Sequence, residues 1–472
     1  MSLNSVRRAI GLDALRGFAI LAMFLSGLLP FYSNTLPNWM YHAQIPPPLH
    51  KFNPNLPGLT WVDLVFPFFI FSMGSAIPLA LTKRIESGFS CVKIWIYAAE
   101  RFLLLAGFAI FIQHVKPYAL NPTPSVYTWL IALLGFILLF PVLYRFPKHF
   151  NKRYSVAIKI IGVILIVVLL SLLRYPNKTG FLFTRSDIII LVLANVSFFG
   201  TLIWYYTKDN ILIRLGLLGF LLAIRLGHTE LGFIKELWNF TPFPWLYTLY
   251  YLQYLFVLIP GTIIGDFLLN WMSKDEEKMV PNFTNLKLKI ICLLMFLVVI
   301  AVLIGLHSRQ TLLTFSVISI WAIVVYYLVK NAKLHYEILI KKLYYWGLYF
   351  LLLGLFFEPY EGGIKKDHPT LSYYFVTVGL AIFFLIALTI IIDILKKESY
   401  FEIFVANGQN PMIAYAGISN LIPPILGLSG LAELLSLMVI NPWLGFVKGV
   451  LITILLGIMV KYFTKYKIFL RT

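Results

Sequence analysis

Runs of about twenty apolar residues recur from one end of this 472-residue chain to the other. That repetition limits the fold before any single motif does. A helix needs about 20 mostly apolar residues to cross the hydrocarbon core of a bilayer. No water is available there for open backbone groups, so each crossing must be a helix or part of a closed barrel. The runs lie near 9–31, 60–81, 95–114, 126–144, 155–173, 187–206, 211–227, 244–270, 289–306, 311–329, 343–357, 371–393, 411–427 and 442–460. The expected fold is therefore all-α: a polytopic integral membrane helix bundle of about 11 to 14 spans with both termini cytoplasmic. Composition agrees, with 60% hydrophobic and 12% charged residues, where a soluble domain carries about 25% charged. Arg7 and Arg8 precede the first run and no small-residue cleavage site follows it, so the first span is expected to stay as an anchor.

The net charge of +19 takes its meaning from where it lies. With the N-terminus in the cytoplasm, more than two thirds of the 39 Lys and Arg fall on the cytoplasmic side. They cluster at Lys83 and Arg84, Arg145 to Arg153, Lys330 to Lys342, Lys396 and Lys397, and Lys461 to Lys467. That bias is the positive-inside rule, and it accounts for the excess charge without nucleic acid. The absence of a phosphate-binding P-loop argues against an ATP-driven pump of the usual kind. Cys91 and Cys292 form neither a disulfide framework nor a metal site, so no metal is expected. The chain is expected to be one domain over 1–472, with a motif-rich block at 1–115, middle spans at 116–360 and C-terminal spans at 361–472.

Chemistry concentrates in the first ninety residues. In Gly11-Leu12-Asp13-Ala14-Leu15-Arg16-Gly17, at the cytoplasmic mouth of the first span, Asp13 and Arg16 are three apart and share a helix face. A charge at that depth must be paired or face a polar cavity. The loop from Tyr41 to Gly58 follows, with prolines at 46, 47, 48, 54 and 57 that fix much of its backbone. His42 and His50 lie inside it, and histidine is the side chain whose ordinary pKa suits proton transfer near neutrality. The second span then opens with Thr60-Trp61-Val62-Asp63-Leu64-Val65-Phe66-Pro67. Pro67 cannot donate to the Asp63 carbonyl four residues back, which should kink the helix and leave that carbonyl free. The Asp63 side chain can cap the helix, orient a histidine or bind a substrate amine.

Taken together, Arg-x-x-x-Leu-Asp-x-x-Arg-Gly at 8–17, a loop histidine, and Gly-Leu-Thr-x-x-Asp-Leu-Val-Phe-Pro-x-Phe-x-Phe-x-Met-Gly at 58–74 resemble the heparan-α-glucosaminide N-acetyltransferase family of transmembrane acyltransferases. The likeness is dense over about 7–115, where Arg101 also fits a family arginine. It fades through the middle and returns at 364–381 and at Gly408-Gln409-Asn410-Pro411. Two features depart from the family. A longer proline-rich stretch separates His42-Ala43 from Gly58, and Ser26 and Gly27 stand where the family has an asparagine.

The resemblance implies transfer of an acetyl group from cytoplasmic acetyl-CoA to an amino sugar or oligosaccharide on the far side, with a loop histidine and Asp63 as catalytic groups. His42 matches the family by its following alanine and His50 by its distance to Gly58. Transfer can run directly or through an acetyl-histidine. Asp13, Arg16, Arg101 and Asn410 are the candidates for holding acetyl-CoA, and Lys366 and Ser372 for holding the acceptor. Asn410 followed by Pro411 is a helix-start signal, and a helix start offers free N–H groups to phosphate. The expected partners are acetyl-CoA, the amino-sugar acceptor and the lipid bilayer, with no nucleic acid; a homodimer is compatible with the sequence. The expected location is a bacterial inner membrane. The competing reading is a proton-coupled transporter, whose buried Asp, Arg and His would move protons with a solute.

Overall fold

The computed structural model describes residues 8–32, 35–147, 149–230, 232–274 and 280–472. Among them there is no strand, and one isolated antiparallel bridge joins Tyr144 and Leu470. The longer helices are α1 (Ile10–Gly27), α2 (Trp61–Glu86), α3 (Cys91–His114), α4 (Val126–Leu143), α5 (Lys152–Leu172), α6 (Ile188–Thr207) and α7 (Ile211–Gly227). They continue as α8 (Leu255–Met272), α9 (Asn285–His307), α10 (Thr311–Val329), α11 (His335–Phe356), α12 (Leu371–Leu388), α13 (Pro411–Asn420) and α14 (Pro442–Lys465). A 3₁₀ turn over Leu249–Tyr254 leads into α8, and α12 runs on as a π-helix over Thr389–Ile394. Thirteen spans among the described residues are long and apolar enough to cross a bilayer, and the chain is an integral membrane protein. The fourteenth run of the sequence is α7, which has only 17 residues and a wholly buried Arg214. Arg7, and Lys148 of the basic segment after α4, lie outside the described residues.

The helices gather into two compact units. One comprises Met1–Gly88, Trp204–Leu218 and Tyr254–Gly408; the other comprises Phe89–Ile203, Gly219–Gln253 and Gln409–Thr472. In the first unit α12 is the central helix: every residue from Leu371 to Leu388 except Phe384 is buried. A helix that is apolar all round belongs inside, and α1, α2, α8, α9 and α11 all pack against this one. In the second unit α5 is the opposite case, with Gly162 alone buried, as expected of a helix that faces lipid.

Small residues bring α2 and α8 into backbone contact. A methyl group added at Gly74 would lie 2.3 Å from the Leu258 carbonyl oxygen, and one at Gly261 would lie 2.5 Å from that of Phe71. Lipid tails are as apolar as side chains, so close packing of this kind replaces the hydrophobic drive between membrane helices.

Three local features bear on the sequence reading. First, α11 begins at His335 rather than near 343, because the helix carries Lys341 and Lys342 within it. Its start is tied down by the buried Glu337 carboxylate, which accepts the N–H groups of Phe283 (2.6 Å), Lys333 (2.7 Å) and Leu334 (3.2 Å). Second, the run at 411–427 breaks at Leu421 into α13 and a second short helix, Ile422–Leu428. Pro423 and Pro424 follow the break, and Pro424 has no N–H for the Asn420 carbonyl. Third, α2 continues through Pro67 and Pro78 as one helix. The Asp63 carbonyl left open by Pro67 is taken by the Tyr373 hydroxyl at 2.8 Å.

The seam between α2 and α8 can be tested directly. Gly74→Leu is expected to destabilise the protein by about 1–3 kcal/mol, the usual scale of overpacking. Gly107→Leu on α3, where an added Cβ meets nothing within 4 Å, should be nearly neutral. Thermal melts in detergent compare the two.

Candidate functional site

The polar loop before α2 and the loop between α11 and α12 meet over the N-terminal end of α2. Gly362 and Gly363, at φ 72° and 91°, turn the chain out of α11 into that second loop. The Gly58 N–H then donates to the Ile364 carbonyl at 2.8 Å and joins the two loops. Beneath them Asp63 has no solvent exposure. Its Oδ2 accepts the Thr60 N–H at 2.9 Å and lies 3.1 Å from the Thr60 hydroxyl, so it caps its own helix from the third position. The Thr60 hydroxyl donates to the Tyr41 carbonyl at 2.7 Å, which ties the loop to the helix start.

The other Asp63 oxygen faces His42. His42 Nδ1 lies 2.7 Å from Asp63 Oδ1, and its Nε2 lies 2.9 Å from Asp367 Oδ2. The imidazole is thus held between a wholly buried carboxylate and one whose side chain is 47% exposed. Burial disfavours a charged ring, but hydrogen bonds to Asp367 and Asp63 outweigh it and raise the His42 pKa above its ordinary value. At Asp367 burial favours the neutral acid; the His42 hydrogen bond and the Lys366 charge prevail and hold its carboxyl below its ordinary value. Lys366 adds a cation 4.0 Å from Asp63 Oδ1. Such a ring can take up and return a proton at Nε2, while Asp63 fixes its orientation through Nδ1.

The sequence-predicted residues divide into those brought to this site and those that are not. His42, Asp63 and Lys366 meet here. Ser372, at the start of α12, is buried, and its hydroxyl has no hydrogen-bond partner among the described residues. His50 lies elsewhere in the loop, in a nest of rings. Its centroid is 4.6 Å from Tyr41 and 5.5 Å from Phe31, and its N–H donates to the Pro46 carbonyl at 3.1 Å. Aromatic rings surround it, whereas carboxylates bracket His42.

Asp13 and Arg16 are at the far end of the same unit, where α1 begins. Arg16 donates to the carbonyls of Gly408 (3.2 Å) and Ser72 (3.1 Å) and lies 3.7 Å from Asp13, which also pairs with Arg8 at 2.7 Å. A methyl at Gly17 would fall 1.8 Å from the Phe404 carbonyl oxygen, and one at Gly408 the same distance from that of Asp13. The motif at 11–17 therefore packs α1 backbone to backbone against 404–408, with Arg16 clamping the contact. Asp393, in the π-helix after α12, completes it by accepting the N–H groups of Ile10 and Gly11, each at 2.9 Å. A carboxylate there also faces the positive end of α1.

Arg101 and Asn410 belong to the second unit. The buried Arg101 Nε has no hydrogen-bond partner among the described residues. Pro411 does open α13, as its sequence signal implies, but Asn410 makes no side-chain cap. Its amide donates instead to the Ile468 carbonyl at 2.7 Å, near the end of the chain.

Asp367, Gln44, Tyr373 and Asp393 are site or closure residues that sequence reasoning passed over. The visible signal for the first was a run of four polar residues, Lys365-Lys366-Asp367-His368, in a chain otherwise poor in charge.

One family model, described as a domain of unknown function (DUF5009), matches residues 8–268. The chain belongs to this DUF5009 family. No curated protein matches it. The DUF5009 match takes in His42 and Asp63 and ends before Asp367.

If Arg16 is chiefly a clamp, Arg16→Met should lower stability. Each hydrogen bond from a charged donor contributes about 1.5–3 kcal/mol. Chemical denaturation in detergent should show a loss on that scale, larger than for Arg8→Met, whose side chain is 53% exposed.

Proposed function

We propose that this chain is an acetyl-CoA-dependent acyltransferase of a bacterial inner membrane, with His42 as its proton-transfer residue. One observation carries the reading: a loop histidine is held between two carboxylates, over the start of a membrane helix, at the end of the bundle that the charge bias assigns to the outside. The motifs around it resemble those of the heparan-α-glucosaminide N-acetyltransferase family, which supports an amino-sugar or oligosaccharide acceptor. The buried Nε of Arg101, without a hydrogen-bond partner among the described residues, is a donor suited to an anionic group such as a phosphate of acetyl-CoA. Arg16 suits that role less well, since its guanidinium already has three partners.

Acetyl-CoA supplies an activated acetyl thioester. Attack by the acceptor nitrogen or oxygen forms its bond to the acetyl carbon and breaks the carbon–sulfur bond. A neutral acceptor gives the proton it loses on attack to His42 Nε2, which passes it to the departing thiolate so that coenzyme A leaves as the free thiol; an acceptor that arrives as its ammonium first gives up one further proton to solvent. Asp63 holds Nδ1 and stabilises the imidazolium that results. Asp367, exposed enough to be reached, is the group positioned to receive an acceptor ammonium.

Purified protein is to be incubated with labelled acetyl-CoA and a panel of amino sugars. His42→Ala should cut turnover by about a hundredfold or more, the usual scale for a lost acid–base group. His50→Ala should stay within a few-fold of the parent. Equal activity in the two variants would remove His42 from the chemistry. The pH profile has a defined sign. A base must be neutral to act, so with its pKa raised, activity should climb through a midpoint above the ordinary imidazole value of about 6.5. Arg101→Ala should raise the KM for acetyl-CoA by about tenfold or more, from the loss of a charge-assisted contact.

A further inference from the structure

Gln44 lies two residues beyond His42, has no solvent exposure, and does not touch the imidazole as a hydrogen-bonding partner through its side chain. Its amide is nonetheless fully occupied. Oε1 accepts the Asp367 N–H at 2.8 Å, while Nε2 donates to the Asp367 carbonyl and, at 3.0 Å, to the Pro54 carbonyl. Its own backbone carbonyl accepts the Asn53 N–H at 2.9 Å. The amide cannot be turned over, since that would set its NH2 against the Asp367 N–H and its oxygen against two carbonyls. One buried side chain therefore grips both backbone polar groups of the residue whose carboxylate faces His42.

We propose that Gln44 is a positioning residue that fixes Asp367 against His42 by clamping the Asp367 backbone. As a role in catalysis this rests on the acyltransferase reading above, though the clamp itself does not. Three features carry the argument. The two partner atoms belong to a single residue from the loop between α11 and α12, so the amide sets both position and orientation of that backbone. Neither an apolar residue nor a carboxylate at 44 could serve a donor and two acceptors at once. The third contact, to Pro54, anchors the clamp in the proline-stiffened loop that carries His42, so both partners of the His42–Asp367 contact are referred to one rigid frame. The charged groups acting on His42 are Asp63 from α2 and Asp367 and Lys366 from the loop between α11 and α12. Of these, Asp367 alone is gripped by Gln44.

The test is a histidine NMR titration of full-length protein in detergent. The eight histidines are isotope-labelled, and the His42 signal is assigned by its loss in His42→Ala. Asp367→Asn should move the His42 midpoint down. Gln44→Met, which fills the space without hydrogen-bonding, should move it in the same direction by at least half as much. The double variant should move it no further than Asp367→Asn alone. An unchanged midpoint in Gln44→Met, or full additivity in the double variant, would overturn the proposal. Should Gln44→Met fail to give a monodisperse protein, Gln44→Asn is read by the same criteria, since it keeps a buried amide too short to span both points. The titration needs no substrate. If the parent transfers no acetyl group, the acyltransferase reading falls while the clamp stands or falls on its own data.

Discussion

A carboxylate with no access to water has to be neutralised where it stands, and at one end of the first unit Asp63 is such a group. Much of the local structure answers that requirement. The N–H groups of Thr60 and Ala43 point to one oxygen, the His42 ring nitrogen lies against the other, and Lys366 stands 4.0 Å off. Removing one partner from a buried pair costs about 3–5 kcal/mol, because the remaining charge is left without compensation. So the His42 loop cannot leave without penalty, and the proline-rich backbone reduces the entropy lost in holding it there. The Pro67 ring adds a second demand by opening the Asp63 carbonyl. Tyr373 meets it from α12, which brings the central helix of the unit into the same network.

The opposite end of that unit follows the same logic with different groups. There the open donors are the first N–H groups of α1, and Asp393 accepts two of them. Gly17 and Gly408 let the backbones touch, and Arg16 uses its fork on carbonyls from both neighbouring segments. Two motifs that stand close together in sequence thus do different work. The block at 11–17 closes helices on one another, and the block from 42 to 67 gathers titratable groups around an imidazole.

The spans were legible because length and hydropathy are set by the bilayer, a constraint that acts on each segment alone. Where reading failed, a partner distant in sequence had decided the outcome. Lys341 and Lys342 read as loop residues, but α11 starts at His335, where the Glu337 carboxylate caps it from inside and holds the distant Phe283 N–H. Asn410 carried a sound capping signal, yet its Oδ1 accepts no N–H among the described residues while its Nδ2 donates to the distant Ile468 carbonyl. The candidate site was half visible. His42 and Asp63 lie in one motif, whereas Asp367 is 325 residues from His42 and no local pattern announces that they meet. His50 equalled His42 in type and in loop. Only the packing of Phe31 and Tyr41 around its ring, and the carboxylates around the other, separates them.

The asymmetry of the two carboxylates has a consequence for the proposed reaction. An imidazole set between two carboxylates is held in its protonated form, so it can take a proton from a substrate only after one carboxylate contact opens and its own Nε2 proton leaves. Asp63 cannot be the one to move: it is wholly buried, caps its helix, and is fixed by Thr60. Asp367 can, since half of its side chain already meets solvent. Gln44 holds only its backbone N–H and carbonyl, which leaves rotation about the Asp367 side-chain bonds unhindered by the clamp. An acceptor ammonium that draws the Asp367 carboxylate to itself would bare His42 Nε2 and let its proton pass to solvent, after which the neutral ring faces the proton to be removed. It would also lower the basicity of the ring by taking away one anion, while the second anion, Asp63, still stabilises the imidazolium as it forms. A fixed carboxylate on Nδ1 and a movable one on Nε2 thus make substrate arrival the event that frees the base.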